Sequence, residues 1–170
     1  MQYFPENVIS EFLESYYSDI FSKLNLDSIY ENRIDENKHI YRFYYSRAFH
    51  DLIVISIDVY ENNYGELHFK KFNIGRYFTE REIVIDSHLK LIPANINNLF
   101  NVIEKYDFWN TPTQNPYFKG LDGSTWIIEG LKEGKYHYIE RWCPLQHENV
   151  ASGIGLKMLG LSRVKIDMIY

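Results

Sequence analysis

Three side chains that suit acid–base chemistry lie close together in the last third of the sequence. Glu129, His137 and Arg141 fall within the stretch GSTWIIEGLKEGKYHYIERWCP, and Asp122 precedes it. A carboxylate orients an imidazole for proton transfer, and a guanidinium binds an anionic group of a substrate. These residue types are therefore candidates for the site of a small hydrolase or transferase, with Asp122 in a supporting role.

The same stretch predicts a β-hairpin, because two strand-like halves flank a four-residue loop, 131–134, that ends in glycine. If this loop pairs Leu131 with Lys135, Glu129 lies opposite His137 on one face of the hairpin. The remaining pairs on this register are Ile127–Ile139, Thr125–Arg141, Ile128–Tyr138 and Trp126–Glu140.

Each of these polar residues also has a structural interpretation. A Glu opposite a His is equally an ordinary cross-strand polar pair. Arg141, next to Trp142, either binds an anion or an aromatic ring, or fixes the preceding loop through Asp122. No nucleophile with a matching activating base accompanies these residues, and both interpretations of the hairpin stay open.

Metal and cofactor sites have little support in the sequence. His137, Cys143 and His147 are three possible ligands, but Cys143 is the only cysteine and His137 lies inside a predicted strand. The stretch SGIGLKMLG resembles a dinucleotide-binding glycine pattern without the strand that gives such glycines their purpose. We expect neither a metal nor a cofactor, and Cys143 is interpreted as a small residue near a strand end.

The hairpin must be positioned by the elements that precede and follow it. Aromatic and β-branched runs separated by turn residues predict an antiparallel meander, and apolar residues at three- and four-residue steps predict helices. Ile53, Ile55, Ile57 and Val59 share one face of the second strand, and Leu52 and Val54 lie on the other, which favours a central position. The predicted strands are Ile40–Arg47, Leu52–Tyr60, Glu66–Phe72 and Arg81–Leu91, and the predicted helices are Glu6–Leu24, a second from Ile96 to near Tyr106, and Val150–Leu161.

These elements predict one α+β domain over residues 1–170, in which a meander and a C-terminal hairpin pack against about three helices. Of the 170 residues, 45% are hydrophobic, as in globular proteins, and the 15 tyrosines and 11 phenylalanines indicate an aromatic core. Tyrosines beyond the needs of a core are good contact residues for a protein partner.

Charge and hydropathy exclude several functional classes. A net charge of −5 disfavours a nucleic-acid partner, which requires a basic face. No run approaches the roughly 20 apolar residues that a membrane-spanning helix needs, and MQYFPENVISEF does not read as a signal peptide. We therefore expect no membrane partner and a cytoplasmic location.

The hairpin stretch resembles a group of uncharacterised bacterial proteins with the pattern D-G-x-x-W-x-x-E-G-x(3)-G-x-Y-H-x(3)-R-W-x-P. The functionally interesting matches are Asp122, Trp126, Glu129, His137, Arg141 and Trp142, and Cys143 stands where Ser is expected. The group carries no activity that transfers to this chain. The resemblance implies a bacterial source and an association with secreted-toxin systems as an antidote.

Two main functional hypotheses follow. The preferred one is a non-catalytic binding protein, in its specific form an immunity protein that neutralises a toxin by protein–protein contact, because an acidic and Tyr-rich surface steers a basic partner. The alternative is a small hydrolase or transferase that uses Glu129, His137 and Arg141 in one accessible pocket. A third hypothesis, a small-molecule sensor, predicts a closed aromatic pocket between sheet and helix.

Overall fold

Six antiparallel strands form one open sheet in the computed structural model, which describes residues 1–6, 8–73, 82–114, 122–147 and 150–170. The strand order is β4-β3-β2-β1-β5-β6, so that the C-terminal hairpin pairs with the first strand of the meander. The predicted α+β fold with a meander and a hairpin is confirmed. The strands are β1 (His39–Arg47), β2 (His50–Val59), β3 (Gly65–Phe72), β4 (Ile83–Leu91), β5 (Ser124–Lys132) and β6 (Lys135–Trp142), and the helices are α1 (Glu11–Lys23), α2 (Pro93–Lys105), α3 (Pro144–His147) and α4 (Val150–Ser162).

Each face of the sheet packs against a different set of helices. The first face, which carries Phe43, Ile55 and Trp126, lies under α2 and α4. The second face carries Tyr44 and Ile127 and is covered in part by α1 and the segment before it. Strand β2 is buried on both faces, as its sequence predicts, because alternate residues feed both cores.

The N-terminal helix is shorter than the Glu6–Leu24 prediction, which was wrong at its start. Ser10 caps the helix through its hydroxyl, which accepts a hydrogen bond from the amide of Leu13, and the helix begins at Glu11. Tyr3 and Phe4 precede this helix, outside any helix or strand, and pack into the core of the second face. Phe12 and Tyr16 of α1 point to the surface, whereas Tyr17 and Phe21 of the same helix are buried.

The hairpin register differs by one residue from the prediction, which was wrong in its turn. Lys132 pairs with Lys135, and Glu133 and Gly134 form a two-residue turn with φ values of 52° and 72°. Two positive φ values give a turn whose twist matches that of the flanking strands, and this match favours the observed register over the predicted one. Glu129 therefore lies opposite Tyr138 and His137 opposite Gly130, on the two different faces of the sheet.

Three sequence predictions fall partly or wholly outside the described residues. These are the start of the fourth strand at Arg81, half of the loop from Asn110 to Gly123, and the side chain of His147. The helices predicted near 96–106 and 150–161 are confirmed as α2 and α4. No helix within the described part of the chain has the length and apolar character to span a bilayer.

Candidate functional site

Glu129, the proposed acid–base carboxylate, is enclosed in the second face of the sheet. It is 0% exposed, and one of its oxygens accepts a hydrogen bond from Arg42 Nε of β1 at 2.6 Å. Its other oxygen accepts from the Tyr136 hydroxyl at 2.9 Å. Burial, followed by the Glu129 charge, raises the pKa of Tyr136 well above its ordinary value. Both oxygens of Glu129 are thus committed to bonds that join strands.

His137 lies on the opposite face of the hairpin and does not meet Glu129. Its ring nitrogen Nε2 is 3.0 Å from the carbonyl oxygen of Thr111, and its ring packs edge-on against Phe108 with 5.0 Å between centroids. Burial lowers the pKa of His137, and the Thr111 hydrogen bond opposes that shift. A neutral ring that fixes the chain after α2 is the role that this geometry supports.

Arg141 fixes the loop between α2 and the hairpin, as the structural interpretation predicted, although its observed partners are carbonyl groups. Its guanidinium donates to the carbonyl oxygens of Pro112 at 2.8 Å and Thr113 at 3.0 Å. The Glu140 amide also donates to Thr113 O, at 2.7 Å, so the loop runs along the edge of β6. Asp122 is exposed, and Arg141 is 5% exposed beneath the loop.

The two motif tryptophans also have packing roles. Trp126 is fully buried under α4, and its indole N–H donates to the Ser124 hydroxyl at 2.9 Å. Trp142 packs beside Gly123, where a Cβ atom would lie 2.5 Å from both the Trp142 ring and Cys143 Sγ. Cys143 is buried, and its sulfur accepts a hydrogen bond from the Ser124 amide at 3.3 Å. The motif therefore holds the hairpin, α4 and the adjacent loop together.

A polar groove occupies the part of the second face that α1 leaves open. It encloses about 520 Å³ beside the N-terminal segment. Arg42 lies in its floor at 2% exposure, and Arg42 Nη2 has no hydrogen-bond partner among the described residues. Residues that line this groove include Asn25, Ser28, Lys38, Arg42, Ser56 and His68.

Two histidines and three carboxylates gather at the mouth of the groove. His68 of β3 and His88 of β4 are register partners, and their ring centroids are 4.3 Å apart. This histidine–carboxylate cluster consists of Asp58, Glu66, His68, Asp86 and His88. Sequence reasoning missed it. The alternation Glu66-Leu67-His68 was a usable signal, but the pairing with His88 requires the register of β3 against β4.

Helix α1 presents the second surface that sequence reasoning did not identify. Phe12 is 77% exposed and Tyr16 51% exposed, one helical turn apart on the same side. Glu11 and Asp19 flank them along the exposed face, which we call the α1 face. Two uncovered aromatic rings on a capped helix are the kind of exposed apolar feature that marks a contact surface.

Comparison of the sequence with known proteins gives no family assignment for this chain. Three of the motif residues, Glu129, Arg141 and Trp126, are buried in contacts between elements, whereas Asp122 is exposed. No protein-family model matches the chain, and no curated protein matches it either.

Proposed function

We propose that the chain is a non-catalytic binding protein that neutralises a protein toxin by direct contact, with the α1 face as its docking surface. The observation that carries this proposal is the pair of exposed rings, Phe12 and Tyr16, on a helix that is otherwise anchored in the core through Tyr17 and Phe21. Aromatic anchors on rigid elements supply much of the binding energy of protein interfaces.

The electrostatics of α1 select the chemistry of the partner. The helix carries Glu11, Glu14 and Asp19 against the single cation Lys23. Asp19 pairs with Lys23 at 2.7 Å, whereas Glu11 and Glu14 form no ion pair with a described residue. An acidic face with two aromatic anchors complements a toxin with a basic surface, and the net charge of −5 favours their encounter.

The hydrogen bonds within the hairpin argue against a catalytic site in the hairpin and so favour a binding protein. Glu129 and Arg141 are buried in bonds that hold strands and a loop, and His137 lies on the other face from Glu129. A general acid and a general base act together only when both reach the reacting atoms of one bound substrate. The alternative hydrolase or transferase therefore has no shared pocket for its three residues.

The test uses catalytically inactivated toxins encoded next to this gene as probes, titrated into the full chain by calorimetry. We expect one of them to bind, and the activity of the intact toxin to be blocked in a matched assay. The double variant Phe12→Ala/Tyr16→Ala is expected to bind at least about 100-fold more weakly, because loss of two anchors costs about 3 kcal/mol or more.

Phe49→Ala is the matched control, because Phe49 is also highly exposed, at 71%, but lies in the turn between β1 and β2. This variant is expected to bind the toxin as the parent chain does. If no neighbouring gene product is toxic or none binds, the proposal fails. If the control and the double variant lose the same amount of binding affinity, the α1 face is not the docking surface.

A further inference from the structure

We propose that Glu66, His68 and His88 form a binding site for a divalent transition metal, for which zinc is the best-matched ion. The site lies on the open part of the second face, at the mouth of the polar groove. This inference is independent of the α1 face and of any toxin partner.

Strand pairing places the three ligands side by side. Glu66 and His68 are two residues apart on β3 and so point to the same face. His88 is the direct partner of His68 on β4, which brings both rings to that face. One ligand atom from each of the three residues lies within 4.8 Å of the others.

The distances between the histidine nitrogens and the Glu66 oxygens suit binding to a shared cation better than direct hydrogen bonds. His88 Nδ1 is 3.7 Å from Glu66 Oε1, and His68 Nε2 is 3.9 Å from Glu66 Oε2. These separations exceed hydrogen-bond length. Ligand atoms at about 2.1 Å from a tetrahedral zinc ion are about 3.4 Å apart, so small side-chain rotations complete the geometry.

A fourth ligand, the carboxylate of Asp58, is in reach of the same centre. Asp58 Oδ2 lies 3.6 Å from His68 Nε2, the nitrogen that would bind the metal. The Asp58 side chain is 35% exposed, so this carboxylate is partly shielded from water. Two imidazoles with one or two carboxylates form a donor set typical of zinc.

Further polar groups are arranged around these ligands as outer partners. Asp86 Oδ1 is 3.6 Å from His88 Nε2, the ring nitrogen that faces away from Glu66. At 3.6 Å this separation is longer than a hydrogen bond, but a carboxylate that closes on a ligating histidine fixes its tautomer. The Tyr60 hydroxyl donates to Glu66 Oε2 at 3.4 Å and orients that carboxylate.

The carboxylates of the histidine–carboxylate cluster favour a cation at its centre. Three carboxylates surround two imidazoles that are neutral when they bind metal. Lys90 and Lys70 are the register partners of Glu66 and Asp86, but neither forms an ion pair with a described residue. Nitrogen donors distinguish this site from those of Mg²⁺ and Ca²⁺, which prefer oxygen ligands alone.

The experiment titrates ZnCl₂ into the full chain by calorimetry, with MgCl₂ as the comparison ion. We expect saturable binding of one zinc ion and no response to magnesium. His68→Ala and His88→Ala are expected to weaken zinc binding more than about 100-fold, and Asp86→Asn by about 10–100-fold, as outer-shell changes do. His50→Ala is the matched control and should leave the affinity unchanged, because His50 packs against Tyr170 outside the cluster.

A second measurement does not depend on any variant. Co²⁺ bound to the unmodified chain is expected to give visible absorption bands with the intensity of tetrahedral coordination, and ZnCl₂ should displace them. Absence of saturable zinc binding, or unchanged affinity in the double variant His68→Ala/His88→Ala, would overturn the proposal. Zinc binding with octahedral cobalt spectra would also contradict the tetrahedral site.

Discussion

Arg42 and Glu129 form a buried ion pair between two central strands of the sheet, with 2.6 Å between Arg42 Nε and Glu129 Oε2. Their side chains are 3% and 0% exposed, and the two residues are direct register partners on β1 and β5. Arg42 Nη1 also donates to the carbonyl oxygen of Asp27 at 2.7 Å. The pair therefore ties the hairpin both to the meander and to the loop after α1.

Removing one partner of this pair is expected to destabilise the protein strongly. Glu129→Ala leaves a buried guanidinium without its counter-charge and should lower the free energy of unfolding by about 3–5 kcal/mol. Urea denaturation monitored by tryptophan fluorescence measures the change. The double variant Arg42→Met/Glu129→Leu should recover most of the loss, because it buries no unpaired charge.

A surface ion pair gives the control for this prediction. Lys23 and Asp19 are 2.7 Å apart, but their side chains are 58% and 59% exposed. Lys23→Ala should change the free energy of unfolding by less than about 1 kcal/mol, since water screens the pair. If Lys23→Ala and Glu129→Ala change the free energy of unfolding equally, the buried pair is no more important for stability than the exposed one.

The positions of the strands could be predicted because their side chains alternate. Ile53, Ile55 and Ile57 face one core while Leu52 and Val54 face the other, and this pattern is local to β2. The partner of Glu129 could not be predicted in the same way. Arg42 is 87 residues away along the chain, and only the pairing of β1 with β5 brings the two together.

The hairpin register and the faces of α1 show a second limit of local patterns. The loop at 131–134 is compatible with two registers, and the backbone at Glu133 decides between them by adopting positive φ. Phe12 and Tyr16 have helical spacing, but their burial depends on what lies beside the helix. Tyr3 and Phe4 fill the core there, and no periodicity in α1 reports this.

Buried tyrosines make the protein sensitive to alkaline pH. Burial raises the pKa of both Tyr17 and Tyr41 above the ordinary value of 10.0. At Tyr17 the Glu140 carboxylate, which accepts a hydrogen bond from the Tyr17 hydroxyl at 2.7 Å, raises the pKa further. The folded protein then retains protons that the unfolded chain releases above pH 10. Stability is therefore unaffected by these groups below pH 10 and falls as the pH rises beyond it, by about 1.4 kcal/mol per pH unit for each tyrosine.

Chemical denaturation at pH values from 9 to about 11.5 tests this slope. Tyr17→Phe should reduce it by the contribution of one proton, whatever its effect on stability at neutral pH. Tyr64→Phe is the control, because Tyr64 is 54% exposed. A slope that is the same in the parent chain and in Tyr17→Phe would contradict the prediction.

His39 gives a separate dependence on acidic pH. Burial, followed by the charge of Lys132, lowers the pKa of His39 from 6.5 to about 4. The unfolded chain therefore takes up a proton below pH 6.5 that the folded protein resists. The stability contributed by neutral His39 is complete above pH 6.5 and is lost as the pH falls toward 4.

The titration of His39 is measured by NMR of its ring protons, with His39→Gln to assign the signal. We expect a midpoint near 4, and we expect the variant to lose stability less steeply than the parent chain between pH 6.5 and 4. The ring of His39 stacks on Phe100 with 5.0 Å between centroids, so the variant also reports any packing loss as a shift common to all pH values. A midpoint at the ordinary value would show that the ring is open to water.

Two glycines of α4 should respond in opposite directions to the same substitution. A Cβ atom at Gly155 would lie 2.6 Å from Trp126 Cζ3 and 3.0 Å from Phe43 Cζ, so Gly155→Ala forces the first-face core apart. We expect this change to destabilise the protein by about 1–3 kcal/mol.

A Cβ atom at Gly160 would have no other atom within 4 Å. Gly160→Ala should therefore stabilise the protein by up to about 1 kcal/mol, because alanine restricts the unfolded chain and favours a helix. Thermal unfolding of the two variants measures both signs, and stabilisation by both alanines would mean that α4 does not pack on Trp126 through Gly155.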